Sequence, residues 1–132
     1  MKPKNSFTNT IEVNASHIDE RNHVNNLLYL QWCIETAEDH WKKTTTPEMR
    51  DPYVWYVLNH NITYKAAAFK NDVLKVTTWV TKAEGVRSER HYEIIRPKDG
   101  KVLVEAETQW CFVNASTLRP TKIPEEIYTL FL

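Results

Sequence analysis

The sequence predicts an α+β fold in which one long amphipathic helix lies across a sheet of antiparallel strands. Three observations predict it. Leu27, Leu30, Ile34, Ala37 and Trp41 recur three and four apart and mark a helical stripe between Asn26 and about Lys43. Beyond that stripe the pattern changes to alternation and to β-branched and aromatic runs, as in VLKVTTWVTKA (73–83). Short turns join those runs: Gly85 closes one, and the Asp-Gly of PKDG (97–100) closes the next.

Residues 6–14 alternate Phe7, Ile11 and Val13 with polar neighbours, imperfectly, and read as a first strand. HIDERNHVNN is polar and irregular, hence a loop. Asn25 or Asn26 caps the helix, since an Asn side chain accepts a bond from an orphan N–H of the first turn. Gln31, Glu35, Glu38 and Lys42 take the face away from the apolar stripe. A helix of about 17 residues is about 25 Å long and could span such a sheet. TTTPEMRDP is a breaker-rich connection. YVWYVLNHNITYK (53–65), 73–83, RSERHYEIIR (87–96) and KVLVEAETQWCFVNA (101–115) read as four strands. In 73–83, Leu74, Val76, Thr78 and Val80 oppose Lys75, Thr77, Trp79 and Thr81. In the last, Val102, Val104, Ala106, Thr108, Trp110 and Phe112 oppose Leu103, Glu105, Glu107 and Gln109. A proline-bounded tail, PEEIYTLFL, contains a short helix-like piece. No repeat, low-complexity tract or linker interrupts the series, so residues 1–132 read as a single domain.

Composition narrows the function. The chain has 17 basic and 17 acidic residues, and a neutral balance argues against nucleic-acid binding, which normally needs a basic excess. Five Trp, six Tyr and four Phe supply apolar surface for a core and argue against disorder. Cys33 and Cys111 have no C-x-x-C spacing and read as buried thiols of a reducing compartment. The N-terminus lacks the apolar stretch of a signal peptide, and the longest apolar run, Tyr53 to Leu58, cannot span a bilayer. A cytoplasmic protein without a membrane partner is expected.

Chemistry concentrates before the long helix. Asp19 and His23 stand four apart, among Asn22, Asn25 and Asn26. Unpaired N–H groups and the helix dipole make that end a place for developing negative charge. It could hold the oxyanion of an acyl transfer, opposite a carboxylate that activates water or attacks. The same residues also serve widely as caps and turn formers. A metal site from His17, Asp19 and His23 matches no ligand motif. His40, His60 and His91 stand alone in sequence and read as surface or satisfied core histidines, although His60 interrupts an apolar strand and could line a cleft. Trp55, Trp79 and Trp110 read as core or interface aromatics.

HIDERNHVNNLLYLQWCIETAE resembles the signature of the 4-hydroxybenzoyl-CoA thioesterase-like branch of the hotdog superfamily, and is similar also to acyl-ACP thioesterases. The matching features are Asp19, His23-Val24-Asn25-Asn26, Tyr29, Trp32 and Glu35, and WCFVNASTLRPTKIPEEI resembles the family's last strand and the element after it. The resemblance implies a curved antiparallel sheet wrapped around the central helix. It implies a homodimer or homotetramer with active sites between subunits, and hydrolysis of acyl-CoA or acyl-ACP with neither metal nor organic cofactor. It implies that Asp19 is nucleophile or general base, that His23 orients water or polarises substrate, and that the Asn25 backbone contributes to the oxyanion hole. Asn26, Tyr29 and His60 are the expected substrate contacts, with packing the stronger reading for Tyr29 and a solvated role the stronger for Glu35. Many members carry Gly where this chain has Asn22, a residue that tolerates the left-handed conformation. Plant acyl-ACP enzymes carry Asn where this chain has Arg21. Lys65, Lys70, Arg87, Arg90 and Arg119 are candidate cations for CoA phosphates. A dehydratase or hydratase of the same fold, and a non-catalytic acyl-thioester binder, are the competing functions.

Overall fold

A computed structural model describes residue 3 and residues 5–132. Strand β1 (Phe7–Glu12) is followed by a 3-10 turn (Ala15–His17), helix α1 (Asn26–Thr44), a one-turn helix α2 (Pro47–Arg50), strands β2 (Tyr53–Tyr64), β3 (Val73–Glu84), β4 (Arg87–Arg96) and β5 (Lys101–Asn114), and helix α3 (Glu125–Phe131). The strands form one antiparallel sheet in the order β1-β3-β4-β5-β2.

The helix begins where an Asn can cap it. The Asn25 side chain accepts the Leu27 N–H at 3.0 Å. It ends at Thr45, whose N–H and hydroxyl both donate to the Trp41 carbonyl. Residues expected to form a plain connection instead make α2, because Thr46 accepts the Met49 N–H and Pro47 occupies the first helical position. At the turns, Gly85 (φ 62) and Gly100 (φ 70) adopt left-handed backbone, which a glycine reaches without a steric penalty.

Ile11 of β1, Leu74 and Val76 of β3, Ile94 of β4, Val104 and Ala106 of β5, and Ile62 of β2 all pack into the cluster that contains α1. Five strands about 4.8 Å apart make a sheet roughly twice as wide as a helix. Packing of all five strands into one cluster with a single helix therefore requires the sheet to curl around it.

Two packing expectations are corrected. The buried stripe of α1 is Tyr29, Trp32, Cys33, Thr36, Ala37 and His40, while Leu27 is 78% exposed and Leu30, Ile34 and Trp41 are half-buried. The stripe is rotated from the apolar one because Thr36 and His40 find polar partners inside. Thr36 donates to the Trp32 carbonyl, and His40 Nδ1 accepts from Arg90 Nη1 at 2.9 Å. Leu103, expected on the polar face of β5, is fully buried. The pairing of β4 with β5 shifts register there, so Leu103 has no partner residue opposite it and joins Val104 in the core.

Burial holds Cys33 inert, its thiol pushed up to about 12, and Cys33 and Cys111 are free and buried. His40 is held at about 4, first by burial and then by the neighbouring Arg90 charge. The folded state thus resists a proton that the unfolded chain accepts near 6.5. Stability should fall as pH drops from 6.5 towards 4, by up to about 1.4 kcal/mol per pH unit from this group, and level off below. Urea unfolding across that range should show the slope in the wild type and a flatter curve in His40→Gln.

Candidate active site

The segment between β1 and α1 is held from both sides. Val13 N–H donates to the Asp72 carbonyl at 2.9 Å, and Asn71 N–H returns to the Val13 carbonyl at 2.8 Å. Val24 N–H donates to the Ala68 carbonyl at 3.0 Å. The Tyr29 hydroxyl, carried by α1, accepts the Ala68 N–H at 2.9 Å. Residues 13–25 and 65–72 therefore interlock, with Val24, Tyr29 and Ala68 buried at the join.

Within this frame the chain doubles back tightly. Asp19 N–H donates to the His23 carbonyl at 2.8 Å, and Asp19 Oδ1 accepts the Arg21 N–H at 2.9 Å and the His23 N–H at 3.3 Å. Asn22 sits at φ 64, the left-handed conformation that this loop demands and that Asn accepts. One carboxylate oxygen is thus spent on the turn. Oδ2 has no protein partner among the described residues, and Asp19 is half-buried.

The helix start offers one free donor. Asn25 N–H is committed to the His17 carbonyl at 3.0 Å, contrary to the expectation that it faces substrate. Leu27 N–H goes to the Asn25 side chain and Leu28 N–H to the Asn25 carbonyl. Asn26 N–H has no acceptor among the described residues. The segment from Asp19 through His23 to Asn26 thus carries an unengaged carboxylate oxygen and an unengaged helix N–H.

The other expected residues divide. His23 is exposed, and its ring meets Phe69 edge-on at 5.4 Å. Tyr29 is 1% exposed and packs against Trp32 and Tyr64, which leaves it a clamp and not a substrate contact. Glu35 lies in solvent and accepts from Gln31. His60 is not brought to the Asp19 loop. It stands on β2, bonded to Thr108 at 2.7 Å, four residues (about 13 Å of strand) before Tyr64, whose hydroxyl reaches the Asn26 carbonyl. His17 spends Nδ1 on the Asn14 N–H, which removes that nitrogen from any metal set. Of the candidate cations, Lys70, Arg87 and Arg119 are exposed and Lys65 pairs with Glu105. Arg90 is buried and cannot meet a surface phosphate. Two contributors escaped sequence reasoning. Ala68 carries no chemical side chain, and Phe69, an exposed aromatic beside an Asn-Asp turn, was its only local signal.

Removing the Tyr29 hydroxyl strands the buried Ala68 N–H. Tyr29→Phe should cost about 1–3 kcal/mol. In urea unfolding the midpoint should fall with an unchanged m-value.

An acyl-[acyl-carrier-protein] hydrolase of Cuphea viscosissima chloroplasts is 31% identical over 83 residues, 62% of this chain and 20% of that protein. The matches span a fifth to a quarter of the length of the plant relatives. A long-chain acyl-CoA thioesterase of Escherichia coli is 24% identical over 89% of this chain and 90% of its own. A 4-hydroxybenzoyl-CoA thioesterase complexed with 4-hydroxybenzoyl-CoA shares the fold with a TM-score of 0.85 at 16% identity, covering 97% of this chain and 99% of that one. The family model described as the thioesterase-like superfamily matches residues 13–131, and the chain belongs to that family.

Proposed function

We propose that the protein hydrolyses acyl-CoA thioesters, releasing a carboxylic acid and the CoA thiol. The observation that carries this reading is the unengaged Oδ2 of Asp19 on the loop that ends at the unengaged Asn26 N–H. The thioester carbonyl oxygen would sit against that N–H, where the positive end of a 19-residue helix favours the charge that develops in the transition state. Asp19 acts in one of two ways. As a base it takes a proton from water as the water oxygen attacks the carbonyl carbon, and the C–S bond then breaks with the proton passing to sulfur. As a nucleophile its oxygen forms a mixed anhydride, displaces the thiolate, and water cleaves the anhydride afterwards. His23, exposed beside Phe69, is free to orient that water.

CoA is preferred to acyl carrier protein because the E. coli acyl-CoA thioesterase aligns along nearly its whole length, whereas the plant acyl-carrier relatives align over a small part. A neutral overall balance also adds no net attraction for an acidic carrier. No helix among the described residues is long and apolar enough to cross a membrane, and two free thiols fit a cytoplasmic location.

The reading includes a second copy of the chain. β2 is an outer strand, and Val54, Tyr56, Val57, Leu58 and Tyr64 on it are 37–46% exposed. An edge this apolar, with unpaired backbone groups, needs a cover. Pairing two β2 strands would supply it and would bring His60 to the seam. Sedimentation should find a dimer or tetramer, and Val57→Lys should shift it to monomer with loss of turnover. A monomeric, active wild type would overturn this part.

Free-thiol release from short, long and aromatic acyl-CoAs tests the chemistry. Asp19→Asn keeps an oxygen for the Arg21 and His23 N–H groups and removes only the charge, so it should fold normally. Its kcat/KM should fall about 10²–10⁴-fold, and Asp19→Ala should fall at least as far. No release from any acyl-CoA by the wild type would sink the reading and favour acyl carrier substrates, hydration or binding alone.

A further inference from the structure

The far end of α1 holds a second recess. From Asn26 to Trp41 is about 22 Å along the helix axis. There, a cavity of about 360 Å³ opens between the last turns of α1, the start of β2, the sheet and α3. Trp41, Tyr53, Trp55 and Phe131 are among its walls, and Arg90 lines it from β4. Its volume lies within the range of small-molecule sites.

Arg90 is the anomaly. It is 7% exposed, yet no carboxylate pairs with it among the described residues. Nη1 donates to His40 Nδ1 at 2.9 Å and to Thr78 Oγ1 at 3.1 Å, and the guanidinium stands 5.8 Å from the centre of the Phe131 ring. Nη2 and Nε have no acceptor among the described residues. Burying a charge without a counterion is costly, and buried arginines are ordinarily matched by an anion. Burial with no opposing carboxylate pulls Arg90 down to about 10, so it remains a cation at neutral pH. The His40 ring beside it stays neutral and acts as acceptor. The planar fork of a guanidinium matches a carboxylate through two parallel bonds. The walls around it suit an apolar, flat or slender body.

We infer that this cavity binds an organic monocarboxylate with an apolar body, its carboxylate held by Arg90 and its body by Trp41, Trp55 and Phe131. Acids freed from acyl thioesters belong to that class. The inference stands on Arg90 and the cavity, however, and not on the reading of Asp19.

The test is titration of the wild type with 3-phenylpropanoate, its neutral amide and inorganic phosphate, followed by calorimetry and by tryptophan fluorescence, to which Trp41 and Trp55 contribute from the cavity wall. The acid should bind saturably, one per chain, and the amide at least tenfold more weakly. Phosphate alone should not compete at equal concentration. Arg90→Met should weaken the acid at least tenfold. Ala83→Phe, which narrows the cavity from β3 and leaves Arg90 in place, should weaken it too. Equal binding of acid and amide, undiminished binding by folded Arg90→Met, or no saturable binding by the wild type at millimolar acid would each overturn the inference. If Arg90→Met does not fold, the acid and amide titrations of the wild type and of Ala83→Phe still decide it.

Discussion

The fold depends on one join. Residues 13–25 connect β1 to α1 and residues 65–72 connect β2 to β3, and apart from the 3-10 turn at Ala15–His17 neither forms a helix or strand of its own. Each supplies what the other's backbone lacks: Val13 and Val24 bond across to Asn71, Asp72 and Ala68, and Tyr29 closes the last buried N–H. A loop at the protein surface would normally leave such groups to water. Here the join fixes where α1 begins, hence which of its faces meets the sheet and where its unpaired first N–H points. It also fixes the Asp19 turn, since Val24 lies one residue after His23, the partner of Asp19. Positioning of the candidate site and anchoring of the helix are thus the same event.

The other constraint is polar. Under the C-terminal half of α1 the core is partly polar: His40, Arg90, Thr78 and Thr108 are all buried. Every charge or hydroxyl there constrains its neighbours, because an unmatched polar group in low dielectric is expensive. His40 must stay neutral to accept from Arg90, and its ring is fixed by Phe7 stacked at 5.4 Å and Phe131 edge-on at 4.9 Å. The two ends of α1 are thereby specialised differently, one around an anion and the other around a cation.

How much of this could be read in the sequence varies by element. The helix limits were legible because an Asn caps the start and the breaker-rich TTTPEMRDP follows the end, and the β3-β4-β5 meander was legible because Gly85 and Asp99-Gly100 punctuate it. The helix face was not, since an apolar stripe counts Leu27 and omits His40, whose burial depends on Arg90 fifty residues away. Leu103 was misplaced because alternation assumes an unbroken register and β5 carries a bulge. The Asp19 segment stood out only through its family resemblance; spacing alone left caps and catalysis open. What spacing could not show is that Asn25 N–H is already used and Asn26 N–H is not, a matter of tertiary hydrogen bonding to His17. Arg90 read as one surface cation among several, because nothing local distinguishes a β4 residue that points inward beneath a helix.

The measurement that tests the central claim most directly is a crystal structure of Asp19→Asn with a bound acyl-CoA. The thioester carbonyl oxygen should lie within hydrogen-bond distance of the Asn26 N–H, with the carbonyl carbon facing the side chain at position 19. A thioester seated elsewhere, with the Asn26 N–H turned to solvent, would contradict it.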